Sequence, residues 1–129
     1  MEELLRYASP VDIATERYAG EDLTFAGVAI PRGAAVFAVI GSANRDEQQF
    51  PQPDALDITR EPNKHLSFGL GPHYCLGAPL ARLEGQIAIL TLLRTLPDLR
   101  LSVAPHVLRW RPGLVLRGLE SLPVAFGNC

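Results

Sequence analysis

The stretch Phe68–Gly77 (FGLGPHYCLG) constrains this chain more than any other part of it. It sets one phenylalanine, two glycines and one cysteine in the order F-x-x-G-x-x-x-C-x-G and leads straight into a long apolar segment. Gly69, Gly71 and Gly77, together with Pro72, indicate a tight loop with little side-chain bulk. Such a loop lets the backbone come close to a flat ligand.

Cys75 lies just before Ala78-Pro79-Leu80, where a proline in the first turn marks the start of a helix. A thiol at this place lies near the positive end of the helix dipole and near free N–H groups, and both favour its thiolate form. The thiolate is the form of cysteine that binds a metal. We expect the N–H groups of Leu76, Gly77 and Ala78 to surround the sulfur.

Three other interpretations of Cys75 compete with metal ligation. It could be a buried cysteine in a turn, since a free cysteine often behaves as a small hydrophobe; the offsets of Phe68, Gly71 and Gly77 make this the weaker interpretation. A closed zinc site is disfavoured because there is no C-x-x-C, and His73 with Cys75 leaves two ligands missing. A cysteine nucleophile needs a partnered base, and His73 is poorly placed for that in an extended loop.

Length, composition and charge exclude several classes of function. A chain of 129 residues is at most one domain, and 47% hydrophobic residues argue against disorder. The net charge of −2 gives no reason to expect nucleic acid or an anionic membrane as partner, and no apolar run is long enough to cross a bilayer. Cys75 and a frayed Cys129, without a signal peptide, predict reduced thiols in a cytoplasmic protein.

The first third of the chain predicts one helix and one hairpin. Residues 1–7 combine strong helix formers with acidic residues at the start, and Pro10 ends that helix. Residues 23–30 and 34–40 are rich in β-forming residues. They flank Pro31-Arg32-Gly33, which predicts a hairpin turn.

The rest of the chain predicts an irregular stretch, a long helix and short strands. Residues 42–49 favour a short helical turn, and the proline-rich residues 50–66 an irregular meander. Ala78–Leu96 has leucines and isoleucines at helical spacing and is apolar on most sides, which predicts a buried helix that Pro97 ends. The segments expected to form short strands are 99–103, 107–110, 114–116 and 123–126.

The cysteine loop resembles the haem-binding loop of the cytochrome P450 family, and the likeness extends from Glu2 to Phe126. Glu3-Leu4-Leu5-Arg6 matches the family's E-x-x-R on a core helix, and residues 108–119 resemble the terminal strands of bacterial members. The resemblance implies an α+β C-terminal fragment of the mainly-α cytochrome P450 fold, with residues 1–129 as a single partial domain. Its parts would be the end of a core helix, a hairpin, a meander, the haem-thiolate loop, a long buried helix and short terminal strands.

The same resemblance implies roles for individual residues. Cys75 would be the axial ligand of the iron of haem b. Electron donation by its thiolate favours cleavage of the O–O bond. Arg17 and His73 would pair with the haem propionates, and Glu3 with Arg6 would support the meander and the loop. Phe68 would shield the thiolate, and Gly77 would let helix and haem approach. The full set of implied haem-binding residues is Phe68, Gly71, His73, Cys75, Leu76, Gly77 and Arg17.

The implied activity is that of a monooxygenase which inserts one oxygen atom of O₂ into a small apolar substrate. A ferredoxin or a flavoprotein would supply two electrons and dock near the loop. The cations placed for such docking, or else simply solvated, are Arg45, Arg60, Lys64 and Arg82. We expect His65 and His106 to be ordinary surface or turn residues.

The sequence also departs from the family pattern. The long distal helix with its acid–alcohol pair is not in these residues, so no catalytic residue is assigned and the activity of this chain alone stays open. Ala55 stands where the family often has arginine, and Arg60 is a candidate to compensate. An apolar face left open would favour self-association. The alternative is a truncated or decayed product that at most binds haem or a partner chain, and the DNA immediately upstream would discriminate between the two.

Overall fold

Residues 1–127 form three helices and three small antiparallel sheets, an α+β arrangement in agreement with the predicted class. The computed structural model describes residues 1–127, and Cys129 lies outside the described residues. The helices are α1 (Glu2–Ala8), α2 (Ile40–Ala43) and α3 (Ala78–Thr95), with single 3₁₀ turns at Gly71–His73 and Pro105–Val107. The strands are β1 (Arg17–Tyr18), β2 (Leu23–Phe25), β3 (Val28–Ile30), β4 (Ala35–Val36), β5 (Arg100–Leu101) and β6 (Val124–Ala125).

Helix α1 forms where the sequence predicts a helix. Glu2 and Glu3 lie in its first turn and Arg6 in its last, so that both charges complement the helix dipole. The helix ends at Ala8, and the N–H of Ser9 donates to the carbonyl oxygen of Leu5 at 3.1 Å. Helix α1 packs against α2, which begins two residues before the predicted helical turn.

The predicted hairpin turn at residues 31–33 is wrong. Strands β2 and β3 form the hairpin, and its turn is Ala26-Gly27, inside the first β-rich segment. Both residues have positive φ, 47° and 81°, which a tight two-residue hairpin turn requires. Residues 31–33 instead lead from β3 into β4, which pairs with β1 through Arg17 and Val36.

The meander and the long helix follow the prediction more closely. No helix or strand occurs between residues 44 and 70, all of which are described. Helix α3 begins at Ala78, which is fully buried, and ends one residue before the predicted end. A side chain at Gly85 would overlap the end of the Met1 side chain, so the start of α1 lies close against α3.

The apolar sides of α3 are open in this chain. Its helical spacing is as predicted, but the side chains that should be buried are half or more exposed. These exposed side chains are Leu80, Leu83, Ile87, Leu90 and Leu93. The composition of the helix is therefore that of a buried element, whereas residues 1–127 leave these five side chains uncovered.

Two of the four strands predicted after α3 do not form. Strands β5 and β6 pair with each other, but residues 107–110 and 114–116 make only the isolated bridges Trp110–Leu119 and Val11–Leu116. Prolines and glycines recur through this tail and interrupt any longer ladder. Among residues 1–127, no helix is both long enough and apolar enough to span a membrane.

Candidate functional site

The loop Phe68–Gly77 is closed by backbone hydrogen bonds that present Cys75 at its end. The Cys75 N–H donates to the Phe68 carbonyl oxygen at 2.9 Å, and the Tyr74 N–H donates to that of Gly71 at 3.0 Å. Gly69 and Gly71 have φ values of 73° and 78°, which disfavour any other residue. Cys75 lies three residues before α3, as the sequence predicts, and it is exposed.

Gly77 differs from the other loop glycines because neither its backbone nor its surroundings demand glycine. Its φ is −81°, in the ordinary helical region. A Cβ at this position would lie 3.9 Å from the Cys75 sulfur, which is an ordinary van der Waals contact. Glycine at position 77 is thus not explained by the described residues alone.

A cavity of about 580 Å³ opens beside Cys75. Its wall is mostly apolar and is built by Leu5 of α1, the segment that follows α1, Ile40 of α2 and the cysteine loop with Ser67 before it. Four predicted site residues, Arg17, Phe68, His73 and Cys75, line this one cavity. Among the described residues predicted for the site, Gly71, Leu76 and Gly77 are not part of the wall, and Leu76 is 98% exposed.

The two predicted cations reach the cavity from different elements. Arg17 lies on β1, and its Nη1 donates to Oγ1 of Thr15 at 2.6 Å and to the carbonyl oxygens of Thr15 and Glu16 at 3.1 Å. His73 ends the 3₁₀ turn of the cysteine loop. Both residues are exposed. The cavity therefore combines an apolar wall with a sulfur, a guanidinium and an imidazole.

The N–H groups after Cys75 are used unequally. The Ala78 N–H donates to the carbonyl oxygen of Cys75 at 3.2 Å rather than to the sulfur. Within residues 1–127 no hydrogen-bond partner occurs for the N–H groups of Leu76 and Gly77. These two N–H groups remain available to a charged sulfur.

Glu3 and Arg6 form a buried ion pair that ties α1 to the meander. Arg6 is 0% exposed; its Nε donates to Glu3 Oε2 at 2.7 Å and its Nη2 to Oε1 at 2.8 Å. Its Nη1 donates to the carbonyl oxygens of Asn44 and Pro53 at 2.8 and 2.9 Å, and its Nη2 to that of Ala55 at 3.2 Å. All three guanidinium nitrogens are therefore paired inside the fold.

Arg60 completes this cluster, as predicted for a chain with alanine at position 55. Its Nε lies 3.2 Å from both carboxylate oxygens of Glu3, and its Nη1 donates to the Pro51 carbonyl oxygen at 2.8 Å. The Arg60 side chain is only 10% exposed, so its prediction as a docking or solvated cation is wrong. The hydrogen bonds from Arg6, then those from the Asp57 N–H and Arg60, lower the pKa of Glu3 to about 2.

Asn44 is a structural residue that the sequence analysis missed. It is 0% exposed, its Oδ1 accepts from the Leu66 N–H at 2.7 Å, and its Nδ2 donates to the hydroxyl of Ser67 at 3.0 Å. It thereby joins α2 to the segment that enters the cysteine loop. Nothing in the local sequence distinguishes this asparagine from a surface asparagine, because its partners lie more than twenty residues away.

His65 and Arg82 were also misjudged from the sequence. The His65 side chain is 2% exposed, and its Nε2 lies 3.0 Å from Glu2 Oε2. Arg82, predicted to be a docking or solvated cation, binds the same carboxylate with Nε and Nη2 at 2.9 Å. The hydrogen bond from Arg82 is the main cause of a lowered pKa of Glu2. Of the other two predicted docking cations, Arg45 pairs with Asp54, and Lys64 is exposed.

Comparison with known proteins identifies a family that this chain resembles. The family model described as Cytochrome P450 matches residues 1–106. "Polyketide biosynthesis cytochrome P450 PksS" of Bacillus subtilis is 57% identical over 99% of this chain and 32% of that relative. "Mycinamicin IV hydroxylase/epoxidase" of Micromonospora griseorubida is 50% identical over 98% of this chain and 32% of that relative.

Solved structures give the same result. The structure of the Bacillus subtilis bacillaene polyketide synthase cytochrome P450 PksS matches with a TM-score of 0.95 and 55% identity, over 98% of this chain and 33% of that protein. P450BioI, solved in complex with a hexadec-9Z-enoic acid ligated acyl carrier protein, matches with a TM-score of 0.89 and 52% identity, over 98% and 32%. The chain spans about a third of the length of the relatives that it matches. With the family model matched over residues 1–106 and the fold shared with solved members, this chain belongs to the cytochrome P450 family.

Proposed function

We propose that this chain is the haem-binding portion of a cytochrome P450 monooxygenase and that Cys75 is the axial ligand of its haem b. Haem is the cofactor of the cytochrome P450 family. The observation that carries the proposal is the position of Cys75, which is exposed on an apolar cavity that Arg17 and His73 also line. We also propose that residues 1–129 form one part of a larger domain.

The residues at the cavity fit a haem by their chemistry. A haem has an apolar macrocycle, two carboxylates and an iron that accepts a soft sulfur donor. The cavity offers an apolar wall for the macrocycle, the Arg17 guanidinium and the His73 imidazole for the carboxylates, and the Cys75 sulfur for the iron. Each part of the cofactor therefore has a matching group among the described residues.

Individual residues then have distinct tasks. Cys75 supplies the thiolate, and the N–H groups of Leu76 and Gly77 stabilise its charge. Phe68 is one of the residues that line the cavity, and its side chain keeps water away from the sulfur. Arg17 and His73 bind the propionates, and the glycine backbone of the loop, with Gly71 at positive φ, lets the chain turn without side-chain bulk.

The bound haem iron would supply the site at which O₂ is reduced with two electrons. We propose that these electrons come from a ferredoxin or a flavoprotein and that the substrate is a small apolar molecule. Relatives whose names refer to mycinamicin IV and to polyketide biosynthesis support a small molecule as the substrate. Among the cations predicted for docking an electron donor, Lys64 is exposed, whereas Arg45 is already paired to Asp54.

Titration with haemin tests the proposal. The protein, purified as its gene encodes it and stripped of haem, should bind one equivalent of haemin, and Cys75→Ala should weaken binding about ten-fold or more. Arg17→Ala with His73→Ala should weaken the binding of haemin but not of haemin dimethyl ester, whose propionates carry no charge. Arg94→Ala, a change of an exposed arginine on α3, is the matched control. Unchanged affinity in Cys75→Ala would refute the proposal.

A further inference from the structure

One carboxylate on α1 anchors two side chains that contact the Phe68 ring. The Arg82 guanidinium carbon lies 4.7 Å from the centroid of that ring. The His65 ring is tilted by 54° to it, with 6.2 Å between the ring centroids. Arg82 and His65 both bind Glu2, Arg82 with two nitrogens and His65 with Nε2. Phe68, at the start of the cysteine loop, therefore contacts two groups that share an anchor.

Arg82 also holds the other end of the loop. Its Nη1 donates to the phenol oxygen of Tyr74 at 2.7 Å, and Tyr74 immediately precedes Cys75. The Phe68 carbonyl oxygen accepts the Cys75 N–H at 2.9 Å. Arg82 thus contacts both residues whose backbone fixes the position of Cys75, and it does so from helix α3, which begins three residues after the cysteine.

All three guanidinium nitrogens of Arg82 donate hydrogen bonds within the fold. Nε and Nη2 go to Glu2, and Nη1 goes to Tyr74. Its guanidinium face covers Phe68, and the side chain is 29% exposed. A cation used in this way is suited to holding a loop rather than to meeting an incoming partner.

We propose that Arg82 is a positioning residue which keeps the Cys75 sulfur at the haem iron by clamping Phe68 and Tyr74. We name Glu2, His65, Phe68, Tyr74 and Arg82 the loop clamp. The inference rests on the proposed haem ligation by Cys75 and deepens it. It assigns to Glu2 and His65 the task of orienting Arg82 and Phe68, and to the Tyr74 hydroxyl the task of fixing the residue beside the ligand.

The test is the absorption spectrum of the reduced, CO-bound protein, purified as its gene encodes it. A thiolate opposite CO gives a strongly red-shifted Soret band, and its loss gives the band of ordinary haem. Arg82→Gln should lower the ratio of the thiolate-bound form to ordinary haem by about ten-fold. This is the low end of the effect of removing a group that orients a metal ligand. Tyr74→Phe removes one hydroxyl from a half-exposed side chain and should give a smaller shift in the same direction.

Two further variants separate clamping from charge. Arg82→Lys keeps the charge but loses the two-pronged contact with Glu2 and the flat contact with Phe68, so it should not restore the red-shifted band. Arg94→Gln removes an exposed charge from the same helix and should leave the spectrum unchanged. All samples are compared at equal haem content, with the unfolding midpoint measured in parallel.

The outcomes distinguish this inference from the proposed function. If the unmodified protein lacks the red-shifted band, haem ligation by Cys75 fails, and the inference fails with it. If the unmodified protein shows the band and Cys75→Ala loses it, but Tyr74→Phe and Arg82→Gln both keep it in full, the loop clamp alone is refuted. Full restoration by Arg82→Lys would also refute it, because charge would then suffice. Should Arg82→Gln fail to fold, the shift in Tyr74→Phe decides.

Discussion

At the scale of single residues, the carboxylate of Glu3 makes more hydrogen bonds than its place in a short helix suggests. It accepts hydrogen bonds from Arg6, Arg60, Asn63 and the N–H of Asp57. The E-x-x-R spacing makes the pair with Arg6 predictable, since residues three apart share a helix face. Arg60 and Asn63 lie 57 and 60 residues away along the chain, and no local pattern encodes contacts of that kind.

Replacing Arg60 should destabilise the fold. Arg60→Ala removes one of the cations that pair with the buried Glu3 carboxylate and leaves the carbonyl oxygens of Pro51 and Gln52 without this donor. The free energy of unfolding should fall by about 2–3 kcal/mol. Arg94→Ala, the matched change at an exposed position, should stay within about 0.5 kcal/mol. Urea unfolding of both variants measures the difference. Equal midpoints would contradict the account of the Glu3 cluster.

The low pKa of Glu3 predicts a loss of stability in acid. Its pKa is about 2 in the folded chain against an ordinary value of 4.5, so folding favours the carboxylate. The resulting stabilisation is complete above pH 4.5 and is lost as the pH falls from 4.5 towards 2. The free energy of unfolding should drop across this window, and it should drop less in Arg60→Ala. An identical acid profile in that variant would contradict the contribution of Arg60, and Glu16→Gln, at an exposed carboxyl, is the control.

At the scale of elements, the sequence predicts the parts that depend on local pattern. Helices α1 and α3 appear where periodicity and proline place them, because capping and spacing act within a few residues. The predicted hairpin turn is wrong because Gly27 lies inside an apolar run, whereas Pro31-Arg32-Gly33 is the more prominent turn signal in the sequence. The turn is decided instead by the two consecutive positive φ values at residues 26 and 27.

The glycines of the cysteine loop should respond differently to alanine. Gly71→Ala forces a side chain into a φ of 78° and should cost about 1–2 kcal/mol. Gly77→Ala adds a Cβ at ordinary contact distance in a helical conformation, so the haem-free protein should keep its stability to within about 0.5 kcal/mol.

Haem binding provides the second readout for these variants. If Gly77 is there to let helix and haem approach, Gly77→Ala should bind haemin more weakly despite its unchanged stability. Thermal unfolding without haem and a haemin titration measure the two effects. Unimpaired binding would show that position 77 has no part in the site.

At the scale of the whole molecule, few apolar side chains are enclosed. Among residues 1–127, the buried hydrophobic residues are Leu5, Ala19, Phe50 and Ala78. Five apolar side chains of α3 are half or more exposed and form a surface of the kind that favours association: Leu80, Leu83, Ile87, Leu90 and Leu93. Periodicity along α3 predicts an apolar helix. It does not predict the groups that cover the helix, because these lie far from α3 in the sequence or are not among residues 1–129.

A polypeptide of residues 1–129 should therefore self-associate. Sedimentation velocity is expected to show dimers or larger species, and Leu83→Lys combined with Leu90→Glu should shift the population towards monomer. The exposed pair Gln86→Lys and Thr91→Glu on the same helix controls for added charge. A monomer at high concentration would contradict the role assigned to this face.

X-ray absorption at the iron edge tests the central claim, ligation of haem iron by Cys75, most directly. Its fine structure reports the atoms bound to iron in the haem-loaded protein, purified as its gene encodes it. The account predicts a single sulfur neighbour in the unmodified protein and none in Cys75→Ala. A shell of nitrogen and oxygen alone in the unmodified protein, or a sulfur neighbour that persists in Cys75→Ala, would contradict it.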